Sequence, residues 1–365
     1  MGGAGIIKRF GHLFTRITDI TNLQNAHINA KKGKEDYAEV KTICQNSAFY
    51  LKQLQQSLLN HTFTTSAYRI KQIYEPKERE IFILPYYPDR IVHHAIMQVL
   101  QPIWDNTFIY DLYSAIPKKG IHKGHYRLRD FLKDKENTQY CLKFDISKFY
   151  PNINHDILFS QVQTKIKCPE TLWLLHDIIY SIEGKTNVPI GNYLSQYFSN
   201  IYLNGFDHWL KEDMNTHYYL RYCDDGVILD KDKEYLKYLL IDIEKYFKNN
   251  LKLTLNKKTQ IFNVDQRGID FLGYREFRTY SLLRKSSART FKNRIKCYTD
   301  HPEKYTSQHI VSSVMSMHGW AMHCNSYNLV NKHLLSNEKL KKTVARCCEE
   351  LHTKNPLLAL DYYTI

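Results

Sequence analysis

YYLRYCDDGVILD, residues Tyr218–Asp230, sets two strand-forming runs on either side of Cys223-Asp224-Asp225-Gly226. Apolar runs joined by Asp-Asp-Gly predict a β-hairpin with a tight turn at that polar group. Adjacent carboxylates at a hairpin tip repel each other, so the pair calls for a cation, and a divalent metal is the obvious one. Taken alone, Asp-Asp-Gly is more often a solvated acidic turn.

A second strand changes that balance. In YCLKFDISKFY, Tyr140–Tyr150, Asp145 sits inside the apolar run Cys141, Leu142, Phe144 and Ile146. An unpaired carboxylate is expensive to bury there. A metal shared with Asp224 and Asp225 would satisfy all three carboxylates, with Ile146 beside them in the metal set. Three carboxylates from two strands can hold two Mg²⁺ ions about 4 Å apart, which clamp the attacking and leaving oxygens of an in-line displacement.

The YxDD form of Tyr222–Asp225, preceded by the FDxSKFYPNI of Phe144–Ile153, resembles the palm of a reverse transcriptase. YxDD alone is a weak pattern; the two in this order and spacing are specific. The resemblance implies an α/β (α+β) right-hand polymerase with an antiparallel palm sheet backed by helices. Its expected parts are fingers (66–135), palm (136–275) and helical thumb (276–351); outside the resemblance, Ile17, Ile20, Leu23, Leu51, Leu54 and Leu58 recur at helical spacing and predict an N-terminal helical extension (1–65), and residues 352–365 form a tail. The resemblance also implies two Mg²⁺ ions, with Mn²⁺ as a substitute, deoxynucleotides, template RNA and a cDNA/RNA hybrid.

Further site residues follow from the same resemblance. Tyr150 falls where the family places an aromatic under the sugar, with Ser147, Lys148 and Phe149 leading to it. Lys77 and Arg79 lie beside the expected fingers turn near Glu75–Glu78. Lys118 and Lys119 belong to the loop YSAIPKKGIHKGH (Tyr113–His125), where Ile116 stands in place of the arginine many relatives carry. Lys257 or Lys258 would face the leaving pyrophosphate. Leu272, Gly273 and Tyr274 resemble the primer grip, and Arg284, Lys285, Arg289, Lys292 and Arg294 would follow the duplex phosphates from the thumb.

VPIGNYLSQYFSNIYLNGFD, Val188–Asp207, predicts a helix capped by Asn192 and apolar along Leu194, Phe198, Ile201 and Tyr202. Retroviral and group II intron enzymes carry Gln-Gly where this chain has Ile190-Gly191, followed by Ser195-Gln196. That pattern, with LLRKSS (Leu282–Ser287) and HGWAMHCNSYNL (His318–Leu329), resembles the reverse transcriptases of diversity-generating retroelements. Those enzymes copy RNA with frequent errors at adenines, and an accessory variability protein or structured non-coding RNA would accompany one; a homo-oligomer is compatible. The competing expectations are an antiphage-defence reverse transcriptase and a catalytically silent RNA-binding scaffold.

Composition agrees with a nucleic-acid partner. Among 365 residues, Lys+Arg 51 against Asp+Glu 37 gives a net charge of +14, an electrostatic footprint for phosphate. The eight cysteines show no CxxC spacing and are expected as reduced thiols. No long apolar run and no signal peptide is evident, so the expectation is a cytoplasmic protein, bacterial or phage-encoded, with no membrane.

Overall fold

The computed structural model describes residues 8–74 and 78–352; Lys77, most of the expected fingers turn and nearly all of the tail lie outside them. The chain forms two compact bodies. One comprises the described residues up to Gly120 with Leu142–Ile228 and Glu234–Gln260; the other comprises Ile121–Cys141, Leu229–Lys233 and the described residues from Ile261 onward.

In the first body the N-terminal residues are helical, as their apolar spacing predicts: Phe14–Thr18, Ile20–Lys31, Ala38–Gln45 and Ser47–Leu59. Asp19 caps the second of these by accepting the N–H groups of Thr21 and Asn22 at 2.9 and 3.2 Å, which satisfies donors with no partner inside the helix. Leu51, Leu54 and Leu58 recur at helical spacing and are buried. β1 (Arg69–Ile73) pairs antiparallel with β2 (Arg79–Ile83), Arg69 opposite Ile83.

The central sheet carries β3 (Tyr140–Asp145), β4 (Tyr218–Tyr222) and β5 (Asp225–Asp230) in the order β4–β5–β3. β6 (Gln260–Asn263), which starts at the last residue of this body, continues the order beyond β3. The hairpin exists where the sequence puts it, but its turn is Cys223-Asp224 alone, with Cys223 left-handed at φ 57. Gly226 is a strand residue rather than a turn residue. A Cβ on it would lie 2.2 Å from the Phe144 ring, so the glycine lets that ring reach the sheet. Phe144 continues into a buried aromatic group with Tyr219, Phe206 and Phe247. Gly226→Ala should lower stability by about 1–3 kcal/mol, the usual cost of overpacking a close-packed core. An unchanged urea midpoint would show that Phe144 can move aside.

The Tyr193–His208 helix is buried nearly all round, beyond the single apolar face expected. Ser195, Ser199 and Asn200 are buried along with Leu194, Phe198 and Tyr202. The polar side chains are tolerated because they find partners: Asn200 donates to the Ser114 carbonyl at 2.9 Å and accepts from its hydroxyl at 3.0 Å.

In the second body β7 (Ile269–Phe271), β8 (Tyr274–Glu276) and β9 (Ser281–Leu283) form an antiparallel sheet. The helices Lys285–Asp300, Ser307–Ala321 and Glu338–Glu350 share a core that includes Phe291, Ile295, Val314 and Val344. His122, Lys123 and Gly124, expected in a loop, lie within the Ile121–Leu132 helix. Among the described residues, no helix is long and apolar enough to cross a membrane.

Candidate active site

β3 ends at Asp145, and the hairpin turn carries Asp224 to it. Ile146 N–H donates to the Asp224 carbonyl at 3.3 Å. Asn256, which the sequence did not single out, braces the same point: its N–H donates to the Asp145 carbonyl at 2.7 Å and its side-chain amide to Asp145 Oδ2 at 3.2 Å. The Asp145 and Asp224 carboxyls share a hydrogen bond. Burial, and then the charge of Asp145, push Asp224 up to about 7.

Asp225 lies close enough for its charge to raise Asp224 further. It forms an ion pair with Lys143 at 3.4 Å, both side chains being largely buried. Among the described residues, no three His, Cys, Asp or Glu side chains group closely enough to hold a metal. The pleat explains the neighbours: Lys143 and Asp145 share one face of β3, while Phe144 points to the other. Lys143 thus supplies the positive charge that Asp225 needs. The donor chemistry still fits a divalent cation, since two carboxyls that must share a proton are relieved by replacing that proton with a metal. Ile146 has a buried side chain and offers the set only backbone atoms.

A second missed group holds the turn from behind. Arg221 and Asp207 are fully buried, with Arg221 Nη2 2.5 Å from Asp207 Oδ2 and Nε 2.8 Å from Oδ1. Tyr219 donates to the same carboxylate at 2.6 Å, and Arg221 Nη1 donates to the Cys223 carbonyl at 2.7 Å. The signal was present in the sequence: an arginine between Leu220 and Tyr222 in a core strand needs a carboxylate. Tyr150 also meets the turn, its hydroxyl 3.4 Å from Cys223 Sγ and 3.3 Å from Ser199 Oγ.

The remaining candidates divide by exposure. Arg79, Lys118, Lys148, Lys257 and Lys258 are exposed, whereas Lys119 turns back to donate to the Tyr110 carbonyl and lies 5.0 Å from the Tyr110 ring. Ser147 N–H bonds to the Thr254 carbonyl. Ile190 accepts from Phe82 N–H at 2.8 Å, and Gly191, at φ 114, lies against Ile81 and Phe82, where a Cβ would come within 2.9 Å of Ile81. Gln196 is exposed.

Four of the expected site residues have buried side chains: Phe149, Ser195, Leu272 and Tyr274. Phe149 packs near Tyr202, because only one of two adjacent aromatics can face outward. Ser195 is on the inner side of a helix buried all round. In the second body Leu272 and Gly273 make the β7–β8 turn at φ 52 and 87. Tyr274 donates to the Trp320 carbonyl at 3.1 Å, and a Cβ on Gly273 would meet the Trp320 ring at 2.6 Å, so packing requires that glycine. Arg284 is engaged by Asp270 at 2.5 Å. Lys285, Arg289, Lys292 and Arg294 are exposed on a helix whose Phe291, Ile295 and Tyr298 are buried.

Protein YkfC of Escherichia coli (strain K12) is 26% identical over 260 residues, covering 57% of this chain and 68% of YkfC. Apo telomerase from Candida tropicalis superposes with a TM-score of 0.49 at 14% identity, over 82% of this chain and 60% of that one. Telomerase from Candida albicans in complex with a telomeric RNA fragment gives 0.49 at 13%, over 78% and 55%. The chain therefore spans little more than half the length of those telomerases. Residues 76–275, more than half of the chain, match the family described as reverse transcriptase (RNA-dependent DNA polymerase). With the paired aspartates at the end of β3 and in the YxDD turn, the chain belongs to the reverse transcriptase family.

Proposed function

We propose that this chain extends a DNA primer along an RNA template, and the observation that carries this reading is the Asp145–Asp224 pair. Residues 66–135, 136–275 and 276–351 serve as fingers, palm and thumb. Asp145, Asp224 and Asp225, with the Ile146 backbone, would hold two Mg²⁺ ions, Mn²⁺ being a substitute. Bound there, such ions supply Lewis-acid activation of the primer 3′-hydroxyl and charge neutralisation at the α-phosphate. The protein's own share is placement. Asn256 and Arg221 fix the β3 end and the turn, Tyr150 stands where a 2′-hydroxyl would clash, and the exposed cations of the Lys285–Asp300 helix follow the duplex backbone. Primer extension on homopolymer RNA with Mg²⁺ tests the reading. Wild type should extend, and Asp225→Asn should not while still binding RNA; synthesis retained in that variant would refute the metal assignment.

Within the family, Ile190-Gly191 with Ser195-Gln196 supports error-prone copying of the diversity-generating retroelement kind, served by an accessory protein or structured RNA. Ile190 is tied to β2 through its carbonyl, so its side chain sits at a fixed place without offering a hydrogen bond to the nascent pair. Ile190→Gln should restore that contact and lower misincorporation opposite template adenine by about tenfold, a 1.4 kcal/mol change in discrimination. Sequencing the cDNA made on a defined RNA measures it. An unaltered error spectrum would remove Ile190 from fidelity.

A further inference from the structure

Lys143 puts a positive charge beside carboxylates that are to receive divalent cations, where like charge opposes the ion it would meet. β3 and β5 are neighbours in the central sheet. The Lys143–Asp225 pair crosses between them at 3.4 Å, with side chains 18% and 28% exposed. A pair so far withdrawn from water holds more firmly than one on the open surface, where solvent and salt screen it. The lysine also stands on the same face of β3 as Asp145.

The backbone around this pair is pinned. Cys223 N–H donates to Ser114 Oγ at 3.0 Å, and its carbonyl accepts from Arg221 at 2.7 Å. Ile146 N–H reaches the Asp224 carbonyl at 3.3 Å, and Asn256 braces the Asp145 carboxyl at 3.2 Å. Asp225 is near enough for its charge to push Asp224 up, while its own carboxylate faces an ammonium. The adjustable part is the lysine, a compact charge on a flexible four-carbon stem that can withdraw without moving the turn.

We propose that Lys143 is a positioning residue for the metal site: its ammonium occupies Asp225 in the metal-free protein and yields it only to a divalent cation. The inference rests on the assignment of Asp145, Asp224 and Asp225 to metal and deepens it. A single positive charge offsets the repulsion among the carboxylates, so the turn folds without metal. A divalent charge at the same distance attracts the carboxylate twice as strongly and displaces the ammonium. Lys143 therefore sets the cation concentration at which Asp225 joins the site.

Manganese binding to the metal-free protein, followed by the electron paramagnetic resonance of the free ion with no nucleotide present, tests this. Lys143→Met should bind Mn²⁺ about tenfold more tightly than wild type, the order expected from removing one unit charge a few ångströms from a divalent ion. Lys143→Arg keeps the charge and should show no gain. In an Asp225→Asn background, Lys143→Met should change the affinity by less than about twofold, because the two side chains act as one coupled pair. An equal gain in both backgrounds would make Lys143 a diffuse charge rather than the competitor for Asp225, and overturns the proposal; so does the absence of any gain. Lys143→Gln replaces Lys143→Met if thermal melts show the latter unfolded. Wild type that binds no Mn²⁺ refutes the metal assignment itself, whereas Mn²⁺ binding insensitive to Lys143 refutes only this inference.

Discussion

Asp224→Asn is expected to reduce RNA-templated DNA synthesis by at least about a hundred- to a thousandfold, the range for removing one preorganised charge-stabilising group. The same substitution should raise the stability of the metal-free protein near pH 8. Its carboxyl titrates near 7 in the folded chain against a reference value of 3.8. The folded state therefore binds the proton more tightly than the unfolded state, and stability falls as pH rises from about 4 to about 7. At about 1.4 kcal/mol per unit this amounts to at most about 4 kcal/mol, less what solvent at the half-buried turn screens. Asparagine carries no charge, so urea melts of the variant should stay level over that interval where wild type declines. Added Mg²⁺ should then stabilise wild type more than the variant, since binding to the folded state alone raises stability by mass action. Equal Mg²⁺ responses, or parallel pH profiles, would show that Asp145 and Asp224 do not form the strained pair that a cation relieves.

Asp207→Ala should lower stability by about 3–5 kcal/mol, the cost of leaving one partner of a buried ion pair uncompensated. The stranded group would be the Arg221 guanidinium, which is fully buried. The effect should reach the catalytic turn, because Arg221 also holds the Cys223 carbonyl. Adding Arg221→Met to Asp207→Ala should recover most of the lost stability, since an apolar pair of similar size needs no compensation. Synthesis should stay low in the double variant, as the turn keeps no donor at Cys223. A loss under about 1 kcal/mol in the single variant, read from urea midpoints, would show that water reaches the guanidinium.

Much of the site was legible because its chemistry is written in short, local patterns. A carboxylate inside the apolar run ending at Asp145, and two more between the strands at Tyr222 and Val227, identify the elements and their class without any coordinates. Period-3.6 spacing likewise placed the N-terminal helices, and the density of cations from Arg284 to Arg294 marked the Lys285–Asp300 helix, whose apolar inner face the structure adds. The turn was misplaced because glycine at 226 has two possible reasons, a positive φ or a close neighbour, and only the position of Phe144 distinguishes them. The burial of the Phe149, Ser195 and Tyr274 side chains was hidden for a related cause: a motif marks where a segment lies, not which side of it is covered.

The sequence by itself determined the family, the aspartates and the basic helix, since each depends on residues a few positions apart. Only the tertiary structure decided the partners. Asn256 reaches Asp145 across 111 residues, Lys143 takes Asp225 from the adjoining strand, and the N-terminal extension brings Lys34 to a helix that starts at Tyr193. Charge and hydrogen bonding act through space, over a few ångströms, and chain order does not say which distant groups folding will bring within that range.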